Sequence, residues 1–286
     1  PLLLDTNRLR MGSLAKLLSQ FGNVVSARLA APAVATSSRG ILKLSVSNKS
    51  GLSKRLDSTL RSGHDMTTFG LGTAASLASV ERYARFTSSM RHVYGAMERA
   101  LDASTSPAVA QLWHVYGPSL RREPSLAADL ADVVEWAPGD QASDATCAYI
   151  AAIEAAAAAD AADNGGRLLG HLYCRYFADL FGGQALAAPT RWALAPAVKP
   201  GTPRHYDFGE FGARRRESIE ALYSAFNEAG SLLGSEHAQE AVVDETLRAF
   251  ALNVAVYTED GALWRDAGRG IANILRGWAR ERLMAA

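Results

Sequence analysis

The stretch 168–188, LLGHLYCRYFADLFGGQALAA, holds the residue types and spacing best suited to chemistry. Its helical periodicity continues on both sides of Gly182-Gly183, so the pair sits inside a helix, where each glycine costs up to about 1 kcal/mol relative to alanine. Paired glycines at a kink bring bare backbone against something flat or bulky. Asp179 lies one turn earlier and can face the same space, which points to a ligand site on this helix. The competing assignment makes the glycine pair a C-cap, with Gln184 opening a new segment. Gln-Ala-Leu-Ala-Ala are good helix formers and the next strong breaker is Pro189, which favours the kinked helix. His64 is a second candidate, since it continues the row Leu52, Leu56, Leu60 near the end of a short amphipathic helix. His92, His114, His205 and His237 have no spacing that marks them as ligands, and Cys147 and Cys174 form no zinc pattern or disulfide framework.

Helices must position these residues almost throughout, because no alternating stretch is long enough for a strand. Val80, Tyr83, Met90, Val93, Tyr94, Met97 and Leu101 mark a long helix closed by the Ser104–Pro107 turn. Further helices are expected over 107–116, 125–136, 142–162, 164–188, 212–233, 236–260 and 262–284. Breaks fall at Gly117-Pro118, Pro138-Gly139, Gly165-Gly166 and the Pro/Gly stretch 196–209. The fold class is all-α.

The chain has 286 residues, 48% apolar and 21% charged, which excludes disordered and fibrous classes and permits a sizeable core. Its net charge of +1 hides an uneven split: residues 1–56 hold 9 basic and 1 acidic residue, 9 − 1 = +8, leaving 21 − 28 = −7 for the rest. Residues 11–39 are rich in Ser, Ala, Leu and Arg without an acid, the composition of an organellar transit peptide. An ordinary basic tail, retained as an anchor, is the alternative. With Phe21 as its one interleaved aromatic and no arginine cluster, the arm is not expected to bind nucleic acid. Glu154 and Asp160 interrupt the alanine-rich run, so no transmembrane segment is expected. Three regions follow: a basic arm (1–51), a helical domain (52–260) and a basic amphipathic C-terminal helix (261–286). On that last helix Trp264, Ala267, Ile271, Ile274 and Trp278 form an apolar stripe among arginines, suited to closing onto the body or to docking a partner or membrane surface.

HLYCRYFADLFGGQ resembles the distal-helix signature of the heme oxygenases, HxYxRYLGDLSGGQ in its usual form. LSKRLDSTLRSGH (52–64) resembles the family's first helix and places His64 at the proximal iron ligand. MRHVYGAMERALD (90–102), SPAVAQLWHVYGPSLRREPSLAADLA (106–131) and AFALNVAVYTED (249–260) resemble its second helix, its middle helices and the helix crossing behind the site. The resemblance implies a single-domain fold in which proximal and kinked distal helices clamp heme, both substrate and cofactor, for conversion to biliverdin, CO and Fe2+. It implies that Gly182 and Gly183 lie against the porphyrin and that Asp179 holds an ordered water for proton delivery, supported by Tyr94, Arg175 and Asn253. Phe250 and Tyr173 would line the pocket, and Arg61 would meet a propionate, with Arg214, Arg215 and Arg216 either adding to it or forming a solvated helix face. Electrons would come from a ferredoxin or another reductase, in a plastid sooner than a mitochondrion.

The sequence also departs from that pattern. Ala178 replaces a glycine, Phe181 a serine, Val134 a tyrosine and Asp57 a basic residue, and the interval after His64, beginning Asp65-Met66, is about three residues short. These departures keep a second expectation open: an inactive heme oxygenase-like subunit of an organellar complex, attached through its arm or C-terminal helix. A third is a carrier that binds heme without degrading it.

Overall fold

The computed structural model describes residues 50–63, 66–139, 141–211 and 215–284. His64, Asp65, Arg214 and the arm up to residue 49 lie outside these, as do the side chains of Arg61, Phe181 and Arg215. Among the described residues there is no strand.

Helix α1 (Gly51–Gly63) buries Leu52 and Leu56 at 2% and 0% exposure. Helix α2 (Met66–Ser76) follows, with Gly70 and Gly72 interrupting its apolar spacing. It forms because Gly72 lets the ring of Tyr257 pack directly on its backbone. Helix α3 (Val80–Asp102) is capped by Ser79, whose Oγ accepts the Arg82 N–H at 3.3 Å. Helix α4 (Pro107–Leu120) runs through Gly117-Pro118 instead of breaking there. Pro118 falls in its last turn, and Gly117 lies against the Trp113 ring. Helix α5 (Glu123–Ala131) ends earlier than its apolar spacing suggests and gives way to a 3-10 turn, Val134–Trp136.

Helix α6 (Asp144–Asp163) is capped by Ser143 and ends at Asn164, whose φ of 53° is the left-handed stop. It is one described helix long and apolar enough by composition to cross a membrane. Its Asp160, however, is 1% exposed and accepts the backbone N–H groups of Arg167 and Leu168, tying α6 to the next helix. That helix is the interrupted one. It runs as α7 (Arg167–Leu172), a π turn (Tyr173–Phe177), α8 (Ala178–Phe181), a 3-10 turn (Gly183–Leu186) and α9 (Ala187–Leu194). Pro189 does not end it, because a proline in the first turn of α9 gives up no intrahelical bond.

Helix α10 (Arg215–Leu232) packs on α1 and α4, and α11 (Glu236–Thr258) crosses behind α7 with contacts to α1, α2 and α6. Gly170 permits that crossing: its missing side chain leaves room for the backbone of Val242 and Thr246. Helix α12 (Leu263–Met284) lies along both α2 and α9.

Candidate functional site

Asp160 fixes the start of α7, and the π turn then places Arg175 and, one turn on, Asp179 facing inward. Arg175 is 3% exposed. Its Nη1 donates to Asn253 Oδ1 of α11 at 3.0 Å, and its Nη2 lies 3.3 Å from Asp179 Oδ2. The Tyr94 hydroxyl of α3 donates to the same Asp179 oxygen in a short hydrogen bond, and the Arg175 guanidinium lies 5.3 Å from the Tyr94 ring centre. The fold thus gathers Asp179, Arg175, Tyr94 and Asn253 into one buried cluster.

Electrostatics follow from that burial. A guanidinium this deep needs a counter-charge, and Asp179 supplies it. Burial holds the Tyr94 phenol well above its ordinary value; Arg175 pulls it back and Asp179 pushes it further up, so Tyr94 remains a proton donor at neutral pH. Burial likewise pushes the neighbouring Cys174 thiol up to about 12, which makes it an inert core residue. Arg175 Nε and Asn253 Nδ2 are buried with no hydrogen-bond partner among the described residues. Two such donors beside a carboxylate fit a site built to order water or another oxygen ligand.

The glycine pair separates into two roles. Gly182 is exposed, and Ala178 one turn before it is half-buried, so together they form an open strip on α8. Gly183 is buried, and a Cβ there would come within 2.5 Å of the Tyr206 ring. Gly182 therefore leaves its backbone open, while Gly183 packs against Tyr206, a residue that its sequence position did not single out.

Tyr206 is held by the 204–208 segment. Asp129 accepts from His205 through its backbone N–H at 3.1 Å and Nδ1 at 2.8 Å, and from the Arg204 N–H at 2.8 Å. Arg122 donates to Asp207 O at 2.6 Å and stacks its guanidinium 4.0 Å from the Phe208 ring centre. Glu98 accepts the Arg122 and Glu123 N–H groups and the Tyr176 hydroxyl, joining this latch to the π turn. His205 is thus a hydrogen-bonded core histidine.

Tyr173 stacks on Phe177 at 4.8 Å and donates its hydroxyl to Ser53 O of α1, the helix that leads to His64, at 3.3 Å. It belongs to an aromatic cluster with Phe226. Phe250 is buried at 7% on α11, one turn before Asn253. Val134 is 66% exposed on the short turn after α5, and Arg216 is exposed on α10.

An all-α body thus carries, on one interrupted helix, an exposed glycine one turn from a buried Asp179–Arg175–Tyr94–Asn253 cluster. The chain belongs to the heme oxygenase family: residues 51–259 match the family model described as heme oxygenase. It is 28% identical over 197 residues to heme oxygenase 1 of Synechocystis sp., covering 68% of this chain and 77% of that protein. The same identity over 203 residues relates it to heme oxygenase 1 of Nostoc sp., across 78% of the latter. The crystal structure of the Synechocystis protein in complex with heme superposes with a TM-score of 0.62 at 25% identity, covering 79% of this chain and all of the other. Heme oxygenase 2 of Chlamydomonas reinhardtii, solved without heme, shares the fold with a TM-score of 0.60 at 23% identity, over 73% of this chain and 97% of the other.

Proposed function

We propose that this chain is a working heme oxygenase, which binds heme against the open strip of α8 and cleaves it to biliverdin, CO and Fe2+. The observation that carries this reading is the Asp179–Arg175–Tyr94–Asn253 cluster lying one turn from exposed Gly182. Heme supplies the iron at which O2 is reduced and the ring that is oxidised. The protein supplies confinement and protons. Ala178 and Gly182 would face the heme, and Asp179, paired with Arg175, would accept hydrogen bonds from ordered water. Tyr94 holds the carboxylate in orientation, while Arg175 Nε and Asn253 Nδ2 offer further donors to that water. His64 fits the role of proximal ligand through the family resemblance, and Arg61 that of a propionate partner.

A ferredoxin or another reductase would deliver the electrons. The transit-like composition of residues 11–39 supports an organellar setting, a plastid ahead of a mitochondrion. The test is a titration of the purified protein with ferric heme, followed by reductant and O2. A histidine-type Soret band that converts to a biliverdin spectrum with CO release is the expected result, and His64→Ala should abolish the band. A stable band without turnover would make the protein a carrier. No band at all would leave an inactive family member that keeps the fold, serving as a subunit of an organellar complex.

A further inference from the structure

Helices α2 and α9 continue the two walls that would enclose the ligand: α2 follows the His64 segment, and α9 extends the helix carrying Asp179 and Gly182. Helix α12 packs extensively on both. Its contacts are backbone-close at two glycines seven residues apart, a spacing that puts both on one face. Any Cβ on Gly270 would overlap Ala74 O of α2, and any Cβ on Gly277 would overlap Trp192 O of α9. Between them, Asn273 Nδ2 donates to Leu77 O at 3.0 Å and Ala78 O at 2.9 Å, satisfying carbonyls just past the end of α2. At the other end Arg280 donates to Ala195 O at 3.3 Å, just past the end of α9, and Trp192 Nε1 donates to Glu281. Ile274 fills the space between, packed on the cluster that contains Leu77 and Leu194.

We propose that α12 is a clasp that fixes the separation of α2 and α9, and that Gly270, Asn273 and Gly277 are positioning residues for the cleft; its consequence for heme rests on the function proposed above. A helix pinned by backbone contact at two points has little freedom to slide. The walls cannot part at this end unless α12 lifts from one of them. The clasp thereby sets how fast a flat ligand enters and leaves, while the Asp179 cluster sets the chemistry.

The test uses the full chain with Cys147→Ser and spin labels at Gly70→Cys on α2 and Arg191→Cys on α9, both at exposed positions. Gly277→Val and Asn273→Leu should broaden and lengthen the interlabel distance. Gly268→Ala, on the open side of the same helix, should not. In the unlabelled protein, Asn273→Leu should raise the heme dissociation rate about tenfold. Ser143→Ala, which weakens α6 away from the clasp, should leave that rate within twofold of wild type. An unchanged interlabel distance, or an equal rate increase in Ser143→Ala, would overturn the clasp. A widened distance in these variants, alongside a wild-type protein that binds no heme, would uphold the clasp and refute the heme reading, which separates the two.

Discussion

At the residue scale the Asp179 cluster divides its labour between charge and orientation. Arg175 neutralises a buried carboxylate, so Asp179→Ala leaves an uncompensated guanidinium and should cost about 3–5 kcal/mol of folding stability in urea titrations. Tyr94→Phe removes one hydrogen bond without disturbing that charge balance. It should lower the single-turnover rate of biliverdin formation about tenfold, the worth of one bond of about 1.5 kcal/mol to a charged group, with heme affinity unchanged. The two glycines make a sharper contrast. Gly183→Ala drives a methyl into the Tyr206 ring and should destabilise the fold by about 1–3 kcal/mol. Gly182→Ala meets only the Ala178 carbonyl, at 3.0 Å, and should hold stability within about 1 kcal/mol of wild type while weakening heme binding. Equal effects at both positions, measured by thermal unfolding and Soret titration, would refute the division of roles.

At the element scale the main helices are legible in the apolar spacing, and Val80–Asp102 and Glu236–Thr258 lie close to where that spacing puts them. The kink is legible too, because a glycine pair inside a periodic segment has few other uses. The π turn is not: YCRYF contains no breaker, and its extra residue is accommodated because Arg175 and Tyr173 find partners on different helices. Helix α2 escapes notice for a related reason, since MTTFGLGTAAS shows no apolar stripe and is held by tertiary packing of Gly72 on Tyr257. Four members of the buried cluster are recognisable through the family motif. Tyr206 is not, because its meeting with Gly183 depends on Asp129 and Arg122, both far away in the chain. The crossing of α7 over α11 gives this scale its own prediction. Gly170→Ala would place a methyl about 2.9 Å from the Thr246 nitrogen and the Val242 oxygen, both rigid backbone. It should lower the melting temperature by about 2–4 °C for each kcal/mol lost, because α7 must shift away from α11. A melting temperature equal to wild type would mean that the two helices can separate freely.

At the scale of the whole molecule, charge is arranged in blocks. Residues 1–56 carry +8 and α12 carries 5 − 2 = +3, so the remaining body, 57–262, holds 16 − 26 = −10. An acidic body must control its carboxylates individually, and the loop bearing Tyr206 shows how. Arg204 bridges Asp129 at 3.1 Å and Asp132 at 2.6 Å, and Lys199 reaches Asp132 at 3.2 Å. Burial pushes the Asp132 carboxyl up, but hydrogen bonds from Arg204, Thr202 and Lys199 outweigh it and hold the group below its ordinary value. A carboxyl lowered in the folded state stabilises the fold fully above its unfolded pKa, and that contribution is lost as pH falls through the folded one. Arg204→Ala should therefore cost about 1–3 kcal/mol at pH 7, where it leaves buried carboxylate oxygens unsatisfied. The gap between variant and wild type should close as the pH is lowered below about 4, the ordinary carboxylate value, because protonated Asp132 no longer needs the cation. Urea unfolding at both pH values measures this, and a gap that stays constant would show that Arg204 acts through packing alone.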